Sequence, residues 1–261
     1  MKIEDKETVF NEYKPNNIYN VDCYETIKEI PDKSIDCVYI DIPYIIQDGG
    51  ASDSPLSQRA KRLRNVELAN LKNGIDYSIF EELYRAMNKI NIFIWCSKEQ
   101  ILDIMNYWAY KKDKVNYEIL TWRKTNPTPL CNNTWLPNIE YCLYFRESGV
   151  KINDGYENKS KYYISGINQK DKFEFGHPTI KPLECVKKHL LHCTSENDVV
   201  LDCFLGSGTT AVACKETGRR YIGFEIDEEY YKIAVNRLNG ISQKDIKNKE
   251  AGIQTIFDFM E

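Results

Sequence analysis

Short apolar runs alternate along the chain with longer amphipathic stretches, a rhythm that predicts strands and helices in turn. Ser34-Ile35-Asp36-Cys37-Val38-Tyr39-Ile40 is too short for a helix and lies between Pro31 and Pro43, so it predicts a buried strand. Tyr77 to Asn88 carries Ile79, Phe80, Leu83 and Met87 at the spacing of one helix face. A strand over Ile92 to Trp95 and a helix from Lys98 to about Tyr110 follow. Further on, Val199-Val200-Leu201 predicts a strand, Gly206 and Gly208 a tight turn, Thr209 to Ala213 the start of a helix, and Arg220 to Glu225 a second buried strand. Regular alternation implies an α/β fold with a largely parallel sheet. At 261 residues the chain has room for one large domain, 1–261, and not for a second of similar size.

Composition narrows the setting. Met1 to Glu12 is densely charged and no apolar span reaches about 20 residues, so neither a signal peptide nor a membrane helix is expected, and the reading is a soluble, cytoplasmic protein. Nine cysteines, scattered singly and odd in number, fit a reducing compartment better than a disulfide framework. Cys185, His189, His192 and Cys193 share one helical face, but there is no Cys-x-x-Cys pair, and packing is preferred to a metal site. The net charge of −4 does not suggest a polyanion partner, yet Arg59, Lys61, Arg62 and Arg64 place four cations within six residues. They fall in a segment, 46–75, whose Asp48 to Pro55 stretch reads as mobile. Lys159 and Lys161, with Lys170 and Lys172, are interleaved with Tyr162, Tyr163, Phe173 and Phe175 to form a second basic-aromatic surface.

Two stretches carry chemistry. After Val199 to Leu201, the run Asp202-Cys203-Phe204-Leu205-Gly206-Ser207-Gly208 reads as strand, turn and helix start, where missing Cβ atoms and free N–H groups admit a ligand against the backbone. Glu225 ends the next strand about 20 residues later, where a carboxylate can accept both hydroxyls of a ribose; a helix N-terminal carboxylate is the competing reading. Asp41-Ile42-Pro43-Tyr44 ends the earlier strand and combines a carboxylate, a carbonyl and an aromatic face, which suits a planar group bearing an amino nitrogen. Taken alone, it reads more readily as an aspartate turn after a strand.

In order, Asp41 to Tyr44, then His177-Pro178-Thr179-Ile180-Lys181-Pro182, then Asp202 to Gly208 resemble the β group of S-adenosylmethionine-dependent DNA amino-methyltransferases, whose catalytic motif precedes the cofactor motif. Ile92 to Ser97 and Leu120 to Pro127 look like the family's middle strands. The resemblance covers nearly the whole chain and implies a doubly wound, mostly parallel, seven-stranded Rossmann-like sheet with the last strand antiparallel. It implies Asp41, Ile42, Pro43 and Tyr44 as the catalytic loop. For S-adenosylmethionine it implies Asp22, His177, Thr179, Lys181, Asp202, Phe204, Gly206, Ser207, Gly208, Thr209, Glu225 and Ile226. Residues 147–176 correspond to the target-recognition segment, and Arg59, Lys61, Arg62, Arg64, Lys159 and Lys161 are the DNA-contact candidates.

The implied reaction is methylation of adenine N6 in DNA by direct in-line transfer to a flipped-out base, within restriction and modification. Cytosine-N4 methylation, or DNA binding without catalysis, are the alternatives. A homodimer and a cognate restriction nuclease are further expected partners. The family normally has proline where this chain has Ile42; isoleucine keeps the carbonyl acceptor, so activity is expected to be retained, with a less preorganised site as the risk.

Overall fold

Among the described residues eight strands form one sheet: β1 (Asn17–Asn20), β2 (Cys37–Asp41), β3 (Asn91–Cys96), β4 (Asn116–Lys124), β5 (Ile139–Arg146), β6 (Tyr162–Ser165), β7 (Val199–Asp202) and β8 (Arg220–Glu225). Their spatial order is β1-β8-β7-β2-β3-β5-β4-β6. The computed structural model describes residues 12–45, 74–111, 113–127, 135–153, 155, 159–167, 173–175 and 180–250. β5 runs antiparallel to both of its neighbours, β3 and β4, while all other pairings are parallel. Helices α1 (Cys23–Thr26), α2 (Ile79–Ala86), α3 (Ile101–Trp108), α4 (Leu183–Cys193), α5 (Thr209–Thr217), α6 (Glu228–Leu238) and α7 (Gln243–Glu250) complete the elements used below.

The central strands are apolar because both faces are covered: every residue of β3 and β7 is buried. On one face Val38, Ile40, Ile92, Ile94, Leu143 and Phe145 pack with Phe80 and Leu83 of α2 and Ile104 and Trp108 of α3. On the other, Tyr39, Phe93, Trp95, Cys142 and Tyr144 meet Cys185, Val186, Leu190 and Cys193 of α4 and Ala213 of α5. The expected mostly parallel, doubly wound sheet is present with eight strands in place of seven. The extra one, β6, is a four-residue edge strand beside β4 that forms within 147–176, and the antiparallel strand is fifth in chain order.

Connectivity positions a crevice. The chain leaves β7 through α5 to reach β8 on one side, and leaves β2 through α2 to reach β3 on the other. β7 and β2 are therefore neighbours whose crossovers diverge, and open α/β sheets bind ligands beyond the carboxyl ends of such a pair.

Candidate active site

β2 and β7 pair in parallel with Cys37 opposite Val200 and Val38 opposite Leu201, so Asp41 and Asp202 leave the sheet along the same edge. β8 pairs next to β7 with Gly223 opposite Asp202, which brings Glu225 to that edge as well. The two stretches singled out by their chemistry thus end neighbouring strands at one edge of the sheet, in the positions from which a crevice there would be walled.

The wall made by Asp41 to Tyr44 is tightly held. The Ile42 N–H donates to the Trp95 carbonyl at 3.2 Å, extending the β2–β3 ladder past the strand end, and its side chain is buried in the core. Fully buried Gln100 accepts from the Ser97 N–H at 3.0 Å and donates to the Pro43 carbonyl at 2.9 Å. A backbone hydrogen bond that proline cannot make, and a buried side chain, stand at Ile42 where the family has a second proline ring.

Charges alternate around this loop. The Lys181 ammonium donates to Asp41 Oδ2 at 2.5 Å, to Glu140 Oε2 at 3.1 Å and to the Tyr44 hydroxyl at 3.2 Å. Tyr44 in turn donates to Glu140 Oε2 at 3.3 Å. Lys124 Nζ meets the other Glu140 oxygen at 2.6 Å. The Lys181 ammonium also lies over the rings of Tyr44 and Trp95, 5.1 and 5.3 Å from their centroids. Burial raises the Asp41 carboxyl above its usual range against the pull of Lys181, and Glu140 adds repulsion. Burial also opposes ionisation of Glu140, but Lys181 and Lys124 outweigh it and hold that carboxyl at about 2. Asp41 Oδ1 is buried with no hydrogen-bond partner among the described residues.

The opposite wall is held by its own neighbours. Asp202 Oδ1 accepts from the Phe204 N–H at 3.0 Å, and the Glu225 oxygens accept from the Gly206 N–H at 2.7 Å and the Asp227 N–H at 2.9 Å. Burial pushes Asp202 up to about 7, and raises Glu225 too. Gly206 (φ 53°) and Gly208 (φ 77°) both adopt the left-handed region. At Gly208 a Cβ would lie 3.0 Å from Ala234 Cβ and 3.2 Å from its Cα, so this glycine answers to packing on α6 and not only to a ligand. The side chains of Ser207 and Thr209 turn to buried Arg237, which donates to their hydroxyls at 3.2 and 2.7 Å. These contacts fix the turn from the side of α6. Asp22 caps α1 by accepting from the Tyr24 N–H at 2.9 Å. Asn20 donates to the Glu225 and Ile226 carbonyls at 2.9 and 3.2 Å. Ile226 is 68% exposed beside Glu225, and Phe204 is half-buried against Tyr24.

Lys181 joins the Asp41 wall, where acidic partners and Tyr44 take its donors. His177, Thr179, Arg59, Lys61, Arg62 and Arg64 lie outside the described residues. Lys161 pairs with Glu118 at 2.5 Å, and Lys159 lines a cavity of about 280 Å³ floored by Phe93, Tyr144 and His189 on the α4 side of the sheet. The helical Cys and His cluster packs there. Trp95 Nε1 donates to the Tyr39 hydroxyl at 2.9 Å, and that hydroxyl is hydrogen-bonded to His189 Nδ1 at 3.1 Å. His189 stacks on Phe93 with centroids 5.1 Å apart, and burial drives its pKa down to about 3, so it is neutral. Gln100, Glu140 and Arg237 were not found from sequence. Each is a polar residue on an amphipathic or edge-like stretch whose burial depends on distant elements.

The chain matches the DNA methylase family over residues 35–236. Type II methyltransferase M2.LlaDCHI of Lactococcus lactis subsp. cremoris is 31% identical over 251 residues, covering 85% of this chain and 88% of that one. The structure of the M1.HpyAVI-SAM complex aligns with a TM-score of 0.63 at 25% identity, over 85% of this chain and 98% of the other. PvuII DNA methyltransferase (cytosine-N4-specific) shares the fold, with a TM-score of 0.63 at 16% identity over 91% and 94% of the two chains.

Proposed function

The chain belongs to the DNA methylase family of N6/N4 amino-methyltransferases, and on that premise we propose that it methylates the exocyclic N6 of adenine in DNA, with Asp41, Ile42, Pro43 and Tyr44 as its catalytic loop. The observation that supports this most is the pairing of β2 with β7 at the divergence of the crossovers, which delivers Asp41 and the glycine turn to the same edge of the sheet. S-adenosylmethionine is the methyl donor of the family. The residues present fit it: Glu225 at the end of β8 can take the ribose hydroxyls, exposed Ile226 and half-buried Phe204 offer apolar faces for its adenine, and the Gly206 turn gives close backbone approach. When bound, it supplies a methyl group activated on a sulfonium sulfur.

The chain's own residues do the rest. An aromatic amino nitrogen is a poor nucleophile because its lone pair is delocalised into the ring. Asp41 and the Ile42 carbonyl accept its two hydrogens and favour a pyramidal nitrogen, and Asp41 then takes the proton that nitrogen sheds as it gains the methyl. Fixed acceptors and aligned reactants supply the acceleration. Tyr44 stacks on the base, which must leave the duplex stack to reach Asp41. Residues 147–176, with Lys159 and Lys161, and the 46–75 segment with Arg59, Lys61, Arg62 and Arg64, contact the DNA around it. Adenine is preferred because, in the family this chain resembles, aspartate as the first residue of the catalytic loop leans towards adenine and serine towards cytosine.

The test is transfer of labelled methyl from S-adenosylmethionine to DNA, followed by digestion to nucleosides and mass analysis. N6-methyladenine is the expected product. N4-methylcytosine would move the activity to the rival base, and a DNA complex without transfer would reduce the protein to a binding module.

A further inference from the structure

Resting on the methyl-transfer reading, we infer that Glu140, backed by Lys124, is a positioning residue that shares the Lys181 ammonium with Asp41 and so leaves the catalytic carboxylate able to accept from the base. Glu140 sits near the start of antiparallel β5, opposite Trp122 of β4, and its side chain is only 17% exposed. Both of its oxygens are engaged: Oε1 by Lys124 at 2.6 Å, and Oε2 by Lys181 at 3.1 Å and by the Tyr44 hydroxyl at 3.3 Å. An ammonium has three N–H donors, and Lys181 divides them among Asp41, Glu140 and Tyr44.

Glu140 thus reaches the catalytic loop twice, through the cation on Asp41 and directly at the hydroxyl of Tyr44, whose ring would stack on a base. Asp41, Lys181, Glu140 and Lys124 form a line of alternating charge that sums to zero. Remove Glu140, and two buried cations face one carboxylate. Lys181 would then commit to Asp41, a poorer acceptor for amino hydrogens and a weaker base for the proton that the methylated nitrogen must lose. The surplus positive charge would also oppose a cationic methyl donor. The other titratable groups near Asp41 do not substitute for Glu140. Tyr44 is held neutral by burial, Cys96 of β3 is pushed up to about 12 by burial, and Asp202 of β7 is itself raised to about 7.

The experiment measures kcat against pH for the full chain with saturating S-adenosylmethionine and a DNA that the wild type methylates, using Glu140→Gln, Glu140→Asp and Lys124→Met. Glu140→Gln should lower kcat by about tenfold or more and move the acid limb to lower pH, because Asp41 loses a repelling charge and gains undivided attraction from Lys181. Glu140→Asp should recover part of both. Lys124→Met should move the limb the opposite way, since an unopposed Glu140 draws Lys181 from Asp41 and adds net negative charge. Opposite displacements are a signature that simple loss of folded protein cannot produce. Limbs that stay at the wild-type position in both charge variants, or that move together, would overturn the inference. Absence of transfer by the wild type on any DNA would instead break the functional reading on which it rests.

Discussion

The two walls of the crevice are built differently. The glycine turn is held from within its own strand-helix-strand-helix unit: Glu225 caps Gly206, Arg237 pins Ser207 and Thr209, and Ala234 packs on Gly208. The catalytic loop is held from afar, with Gln100 57 residues from Pro43, Glu140 96 from Tyr44 and Lys181 140 from Asp41. A local wall can form wherever its unit folds. A wall assembled from β3, β5 and the segment before α4 exists only once the sheet is ordered. Cofactor binding should therefore survive damage that abolishes transfer, while the reverse should be rare.

Four substitutions sharpen that contrast. Asp41→Ala should reduce methyl transfer by about a thousandfold while leaving the cofactor dissociation constant, measured by calorimetry, near wild type. A parallel collapse in cofactor binding would show that the walls are not separable. Gly208→Ala should act on both, because its Cβ would press on Ala234 from a left-handed backbone. We expect about 1–3 kcal/mol of lost stability in denaturant unfolding with weakened cofactor affinity. An unaffected variant would mean that α6 yields easily.

Ile42→Pro should forfeit the hydrogen bond to Trp95, worth about 1 kcal/mol, together with buried contacts, and lower kcat several-fold at unchanged cofactor affinity. Full activity would show that the ladder extension does not position the loop. The mildest expected effect is that of Asp202→Asn on the pH dependence of the melting temperature. Because burial raises this carboxyl to about 7 from 3.8, its contribution is complete below the unfolded value and is lost as pH rises through about 7. The variant should lack that decline, and a wild-type slope in the variant would assign the decline to other groups.

The same contrast explains what could be read along the chain. β7, its turn, α5, β8 and Glu225 follow one another within a short interval, so periodicity and glycine placement report them directly. Asp41 was visible as a carboxylate ending an apolar run. Glu140 was not, because an acid in a strand that begins half-exposed looks like surface until β5 docks between β3 and β4. Gln100 resembled an ordinary residue near a helix start, and its burial against Pro43 is a product of the β2–β3 pairing. Ile42 read as a missing proline, since the partner of its N–H, Trp95, becomes a neighbour only in the folded sheet. Lys181 came from the family resemblance alone, which placed it at the cofactor and could not reveal the charge relay it completes.

The most direct test of the convergence of the two walls is a crystal structure of the full chain bound to S-adenosylmethionine. The ribose should rest on Glu225, with the sulfonium methyl lying between the Gly206 turn and the Asp41 carboxylate. A ligand seated instead in the cavity beside Phe93, Tyr144 and His189, remote from that carboxylate, would contradict it.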